Sequence, residues 1–395
     1  MTGVVITSAA RTPIGSYGKG FKDVAATALG ITAAKAAIER SGITADQVEH
    51  TVIGNVIHSN TDDMYMGRVV SMGAGVPQET PAFTVNRLCG SGVQSIITAA
   101  MHIQTGDADV ALAGGAESMS QAPYWNPTGR WGARMGDTGQ VDPVVGGLTD
   151  PFRKIHMGVT AENLSVRDTI SREDQDLFAL RSHQKAAAAR DAGKFKDQIA
   201  PVTMKTRKGE VVFDTDEHIR ADISLEALAS LKPAFKREDG TVTAGNASGL
   251  NDAGAAVVLM SEAKAAELGA PVKAKILGYA MTGVDPNIMG IGPVTAIRKV
   301  LERTGVALED IGVIELNEAF AAQALAVMRE LGLADDDARV NPNGGAIALG
   351  HPIGASGTAI TVKCLAEMEA TGERYGLVSL CIGGGQGIAL LLEKA

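Results

Sequence analysis

Cysteine is scarce: Cys89, Cys364 and Cys381 are the three in 395 residues. They are too few and too scattered for a disulfide framework or a zinc site, which leaves packed thiols or reactive ones. No uninterrupted apolar stretch approaches the roughly 20 residues needed to cross a bilayer. The opening MTGVVITSAARTPIG also lacks a charged n-region followed by an apolar h-region, so no membrane association and a cytoplasmic address are expected. Positive charge is in deficit, 36 Lys+Arg against 45 Asp+Glu for a net charge of −9, which argues against general binding to nucleic acid or anionic membranes. Neither HExxH nor CxxC occurs, and runs such as Asp335-Asp336-Asp337 look like solvated turns, so no metal is expected.

What is present is a hydrophobic content of 45%, enough for two or three packed units. Met119 to Leu250 holds 18 basic and 18 acidic residues, leaving 18 against 27 elsewhere. An anionic ligand would meet least repulsion at this middle segment, although uneven solvated charge explains the count equally well. The flanking parts look duplicated. TAAKAAIERSGITADQVEHTVIGNV from Thr32 and TAIRKVLERTGVALEDIGVIELNEA from Thr295 share a helical pattern. Each then has a glycine at the helix end (Gly42 or Gly305), an acidic turn and an apolar strand. CGSGVQSIITAA from Cys89 and IGASGTAITVKC from Ile353 form a second pair, each a Gly-Ser-Gly turn opening a helix before a Gly-rich strand. Two similar α/β halves with largely parallel sheets are expected. The expected division is residues 1–118 plus 251–270, an inserted segment 119–250 and residues 271–395. Within the insertion, Ser171 followed by Arg172, Glu173 and Asp174 reads as the start of a helix running to Ala192.

Four blocks carry candidate chemistry. Cys89 lies in NRLCGSG at a strand-to-helix turn, where glycines permit a sharp bend and the helix N-terminus favours a thiolate and offers N–H groups to an oxyanion. A packed small side chain at a helix start reads the same way. His351 lies in NGGAIALGHPIGASG at nearly the repeat-equivalent position, which favours an imidazole activating a thiol over a structural histidine. Cys381, in SLCIGGGQG, ends a strand before three glycines that are equally compatible with close backbone packing. Asn317, in NEAF, follows an apolar strand and fits a helix cap just as well.

Together these blocks resemble the thiolase family. NRLCGSG, GGAESMS, HMGVTAEN, TAGNASGLNDAGAA, NEAF, GHPIGASG and CIGGGQG occur in the family's order, from RTPIG at Arg11 to the C-terminus. The resemblance implies a thiolase fold, two βαβαβαββ halves in a five-layered α-β-α-β-α core plus an inserted loop domain. It implies a reversible Claisen condensation of acyl-CoA molecules with Cys89 as nucleophile, Cys381 as general base and acid, and His351 accepting the Cys89 proton and donating to a thioester oxygen. Asn317 would hold a water in that oxyanion hole, and the backbone N–H groups of Cys89 and Gly383 would form a second. Coenzyme A is implied as cosubstrate, with no prosthetic group. Leu148, His156 and Met157 would line the pantetheine channel, Arg220 and Phe235 would lie near the nucleotide, and Ala244, Ser248 and Leu250 would hold the pantetheine amides. Met157 and Met289 would shape the acyl pocket, with Phe320 beside the ligand. Ala227 departs from relatives that carry a serine near the adenine. GRWGARMGD from Gly129 resembles β-ketothiolases of relaxed chain length that supply polyhydroxyalkanoate synthesis, and the family implies a homotetramer assembled through Trp125 to Val141. A decarboxylating ketoacyl synthase would need a second histidine in place of Cys381. A non-catalytic carrier would have lost a thiol or His351, and a redox protein would need CxxC.

Overall fold

The computed structural model describes residues 2–206 and 209–395. The first series of core elements is β1 (Val4–Arg11), α1 (Ala26–Arg40), β2 (His50–Gly54), α2 (Met66–Gly73), β3 (Ala82–Val85), α3 (Ser91–Thr105), β4 (Val110–Ser118) and, beyond the insertion, β5 (Asn251–Ser261). A second series follows: β6 (Ala274–Gly283), α4 (Gly292–Thr304), β7 (Val313–Leu316), α5 (Ala321–Glu330), α6 (Ile353–Thr371), β8 (Tyr375–Ile382) and β9 (Gln386–Lys394). The repeat is therefore structural, with one strand reduced in the second copy to a single parallel bridge between Ile314 and Val340. Gly42 and Gly305, at φ 75° and 71°, end α1 and α4 in the left-handed conformation that glycine adopts without penalty.

Two half-sheets meet edge to edge in the strand order β7-β8-β9-β6-β1-β5-β4-β2-β3. The seam is short: only Val5↔Lys275 and Ile6↔Ala274 pair β1 with β6. α3 and α6 lie between the half-sheets, where Ile96, Ile97, Val362 and Leu365 share one apolar cluster with Val257 of one sheet and Val378 of the other. α1 and α2 cover the outer face of the first half-sheet, and α4 and α5 that of the second. This is the five-layered α-β-α-β-α arrangement. The expectation of largely parallel sheets is corrected, because only β2–β3, β2–β4 and β7–β8 pair in parallel. β8 and β9 are joined directly by the turn at Gly383, and β5 returns from the insertion beside β4, so neither antiparallel pair needs a crossover helix.

The central helices touch backbone to backbone. A side chain on Gly92 of α3 would come within 3.1 Å of the Gly357 carbonyl carbon of α6, and one on Gly357 within 2.5 Å of the Val93 nitrogen. The repeated Gly-Ser-Gly turns thus bring the Cys89 and His351 segments together by being small where the helices cross.

The insertion is more helical than a loop domain implies, with Met157–Arg167 and Arg172–Asp191. The second helix is capped as its sequence predicts: Ser171 Oγ accepts from the Asp174 N–H at 3.0 Å, and Asp174 returns the contact. Its Phe178 and Ala179 pack with α5, which anchors the insertion to the core. No helix among the described residues is long and apolar enough to cross a membrane, and no cluster of metal-ligating side chains occurs among them.

Candidate active site

Cys89 occupies the tight connection between β3 and α3. The strain of this turn falls on Leu88, at φ 47°, rather than on the glycines that follow, since Gly90 has φ −85°. Leu88 is held there by local bonds: its N–H donates to Asn86 Oδ1 at 2.9 Å and its carbonyl accepts from Ser91 Oγ at 2.7 Å. A non-glycine residue held at positive φ marks a geometry set by its surroundings. Arg87 then ties the turn to the other half, donating from Nη1 to Gln386 Oε1 at 2.9 Å.

Cys381 ends β8 and is fully buried. The following turn needs glycine, because Gly384 and Gly385 both have φ 82°. Its first member, Gly383, directs its backbone N–H at the Cys89 sulphur, which the N–H of Cys89 itself also faces. The two sulphurs are close enough for charge on one to disfavour charge on the other. The expectation that the helix N-terminus makes Cys89 a ready thiolate is corrected. Burial pushes its thiol up to about 11, against the pull of the two N–H groups. Burial, and then Cys89, push the Cys381 thiol well up too. Both cysteines are thiols at neutral pH.

His351 precedes α6 in a connection set by Asn251, whose Oδ1 accepts the His351 N–H at 2.9 Å and whose Nδ2 donates to the Gly15 carbonyl at 3.0 Å. Ser356 Oγ donates to the Pro352 carbonyl at 2.8 Å, so it accepts from the His351 ring and places that proton on Nδ1, 2.6 Å away. Nε2, buried and without a partner among the described residues, is left with its lone pair free. Burial pushes the imidazole down to about 4, so it is neutral at neutral pH and able to accept a proton. The side-chain Oδ1 and Nδ2 of Asn317 are likewise buried without a partner among the described residues. Asn317 lines a cavity of about 20 Å³ with Gly350 and Pro352, the neighbours of His351. Buried polar atoms left unpaired need a partner, and a polar ligand or a water at His351 and Asn317 would supply one.

The apolar walls join these elements. Met157, Met289, Phe320 and Cys381 share one cluster with Leu148 and Phe235 at its edge, while Cys89 and Leu250 share another with Leu148. His156 stacks on Phe235 at 4.6 Å between ring centroids and accepts the Gly158 N–H at 3.0 Å on Nδ1. Ser248 donates its N–H to the Ala319 carbonyl at 3.0 Å, tying its loop to NEAF. Two expected ligand residues are exposed: Ala244, and Arg220 beside the buried His183, whose Nδ1 accepts the Arg220 N–H at 3.1 Å. Sequence reading does not single out Leu88, Asn251 or Ser356. Only the serine of GASG, five residues beyond the histidine, offered a signal.

Similarity to known proteins agrees with this geometry. The thiolase N-terminal domain model matches residues 4–263 and the thiolase C-terminal domain model residues 270–394. A beta-ketothiolase (BktB) of Cupriavidus necator is 56% identical over 391 residues, covering 99% of each chain. An acetyl-CoA acetyltransferase of Syntrophomonas wolfei is 51% identical over 395 residues, covering 99% of this chain and 98% of its own. The crystal structure of human mitochondrial 3-ketoacyl-CoA thiolase in complex with CoA superposes with a TM-score of 0.96 at 46% identity, covering 100% of this chain and 98% of the other. Two family models that together span nearly all of the sequence, and relatives this similar over their full length, make the chain a member of the thiolase family of acyltransferase enzymes.

Proposed function

We propose that the chain condenses two acyl-CoA molecules to a 3-oxoacyl-CoA and CoA, and runs the reverse thiolysis, through an acyl group carried on Cys89. The observation that carries this reading is the meeting of the half-buried Cys89 and the buried Cys381 at the Gly383 turn, next to the helix crossing that brings in the His351 segment, whose Nε2 lacks a partner among the described residues. Cys89 gives its proton to His351 Nε2 as its sulphur attacks the thioester carbonyl, with the Cys89 and Gly383 N–H groups holding the oxyanion. The leaving CoA thiolate takes the proton of Cys381. Cys381, now a thiolate, removes an α-proton from the second acyl-CoA, while His351 and a water held by Asn317 stabilise the enolate oxygen. The enolate carbon attacks the acyl carbonyl, Cys89 leaves as thiolate and regains its proton from His351, and Cys381 keeps the α-proton. Both thiols and the imidazole return to their starting states. The structure of a relative with CoA supports CoA as cosubstrate.

Residues 119–250 would form the CoA-binding segment, with His156 facing the pantetheine and stacked on Phe235, which leads toward the nucleotide. Met157 and Met289, buried beside Cys381, form an adaptable wall to the acyl pocket. With a beta-ketothiolase among the relatives, this supports acetyl-CoA plus acetyl- or propionyl-CoA as substrates. The test is CoA-dependent loss of acetoacetyl-CoA absorbance for wild type and Cys89→Ala, with mass spectrometry for an acetyl adduct. Fast thiolysis with the adduct on Cys89, and collapse in the variant, is the expected result. An inactive wild type that binds CoA would replace the enzyme with a carrier. Comparable kcat/KM for acetoacetyl- and 3-oxohexanoyl-CoA is expected, and a large preference for the former would end the relaxed-specificity reading.

Trp125 to Val141 supports assembly as a homotetramer. Trp125 and Val141 exchange two backbone hydrogen bonds of 2.8 Å at the base of an arm whose Trp131 and Met135 are 90% and 95% exposed. Apolar side chains this bare mark a contact surface. Sedimentation should show a tetramer that Trp131→Ser with Met135→Ser reduces to dimers. A wild type sedimenting only as a dimer would remove this arrangement.

A further inference from the structure

Glu117, the penultimate residue of β4, is fully buried, and the reaction sequence above does not use it. A carboxylate placed this deep is costly unless its lone pairs are met. Here they are: Oε1 accepts from Asn55 Nδ2 at 3.1 Å and the Ile57 N–H at 3.0 Å, and Oε2 from the Val56 N–H at 3.2 Å and the Gly354 N–H at 2.7 Å. All four partners are donors, an arrangement that suits an anion and that a neutral amide cannot reproduce. Burial pushes the carboxyl up to about 8, against the backbone N–H groups that favour the charge. Since the four groups facing its oxygens are all donors, a protonated carboxyl would turn its own O–H against one of them, and this geometry holds the group as the carboxylate.

The donors come from two places that matter. Asn55, Val56 and Ile57 leave β2, and Ile57 and Val56 pack in the cluster that contains Cys89. Gly354 belongs to the first turn of α6, where N–H groups have no partner within the helix and a negative charge is favoured. That turn follows His351 directly. The fit is close, since a side chain on Gly115, two residues before Glu117, would overlap the Gly354 carbonyl oxygen. We propose, on the basis of the acyl-Cys89 reading, that Glu117 is a positioning residue for the reaction: its carboxylate sets the separation of the Cys89 and His351 segments across the boundary between the two repeats.

The clamp has a charge as well as a shape. Glu117 acts on Cys89 as a like charge that favours the thiol, whereas the N–H groups of Gly383 and Cys89 favour the thiolate. Asp63 likewise disfavours negative charge on Glu117, and Cys89 disfavours it on Cys381. Removing the charge therefore moves Cys89 ionisation to lower pH while loosening the geometry.

The test compares wild type, Glu117→Gln and Glu117→Asp for kcat and KM with acetoacetyl-CoA, counted per acetylatable Cys89, and for the pH dependence of Cys89 alkylation by iodoacetamide. In Glu117→Gln, kcat per site should fall about tenfold to a hundredfold while KM stays within about twofold, as misplacement of reacting groups predicts. Its alkylation profile should move to lower pH. Glu117→Asp, with the charge kept and the reach shortened, should lose kcat yet keep a profile near that of wild type. A folded Glu117→Gln with wild-type kcat per site, or one whose alkylation profile does not move, overturns the proposal. If Glu117→Gln does not fold, Glu117→Asp decides on kcat per site. Failure of the acyl-Cys89 reading is distinct, because wild type itself would then neither turn over nor form the adduct.

Discussion

Cys381→Ala should produce a protein that takes an acetyl group onto Cys89 and goes no further. The substitution removes one buried sulphur and leaves the Gly383 turn, which requires glycine conformations rather than the thiol, in place. In the proposed reaction the first half needs Cys89, His351 and the N–H pair, and the proton that Cys381 gives the departing CoA thiolate can come from water instead. The second needs a base beside an already acylated Cys89, and Cys381 is the thiol close enough to feel its charge. General-base catalysis is worth about 10²–10⁴ in rate, so turnover should fall by roughly that factor. Incubation with acetyl-CoA should release about one CoA per site, from one acylation per nucleophile. Mass spectrometry should place the acetyl group on Cys89. A variant that still turns over rapidly would mean that another group takes the α-proton. A variant that forms no adduct would mean that Cys381 serves the first step chiefly, as the acid that protonates the leaving thiolate.

Gly92→Ala should be costly for stability and for catalysis together. The added methyl would overlap the Thr358 backbone nitrogen and lie within 2.8 Å of Thr358 Oγ1 and 3.1 Å of the Gly357 carbonyl carbon, so two of its three nearest neighbours are backbone atoms that cannot turn away. α3 and α6 fill the space between the half-sheets, so they cannot separate without disturbing both. Overpacking of this kind costs about 1–3 kcal/mol, occasionally more. Cys89 and His351 lie just before the crossing on α3 and α6 respectively, so kcat should fall further than the loss of folded protein explains. Thermal unfolding and kinetics per acetylatable Cys89 provide the two readings. Gly146→Ala, where an added methyl meets nothing within 4 Å, is the control and should behave as wild type. A Gly92→Ala protein with the wild-type Tm and kcat would show that the helices yield at this crossing and that its closeness is not needed.

Local features were legible in the sequence because their causes lie within a turn of chain. Ser171 with Asp174 starts a helix as its spacing predicts, and Gly42 and Gly305 end two others. The duplicated Gly-Ser-Gly turns marked the segments that meet at the centre of the fold. The insertion was visible as a stretch without a counterpart, and its helix Arg172–Asp191 was read from the sequence, but Met157–Arg167 was not, because its start is capped by His156 rather than by a Ser, Thr, Asp or Asn. The sheet pairings escaped for a similar reason. Strand direction depends on which strands become neighbours, and β4 and β5 pair across the whole insertion.

The candidate site divides along the same line. The residue types and their order, two cysteines, a histidine and an asparagine in Gly-rich or strand-end blocks, were determined by the sequence alone, and they suffice for the family and its chemistry. Tertiary structure decided the state in which those groups stand. Burial makes both cysteines thiols against the local preference of a helix N-terminus, and it keeps His351 neutral. Ser356 determines which nitrogen of that ring is free. Glu117 finds one of its partners 237 residues away. Desolvation and long-range hydrogen bonding are properties of what surrounds a group in space, and a residue's neighbours in sequence do not specify them.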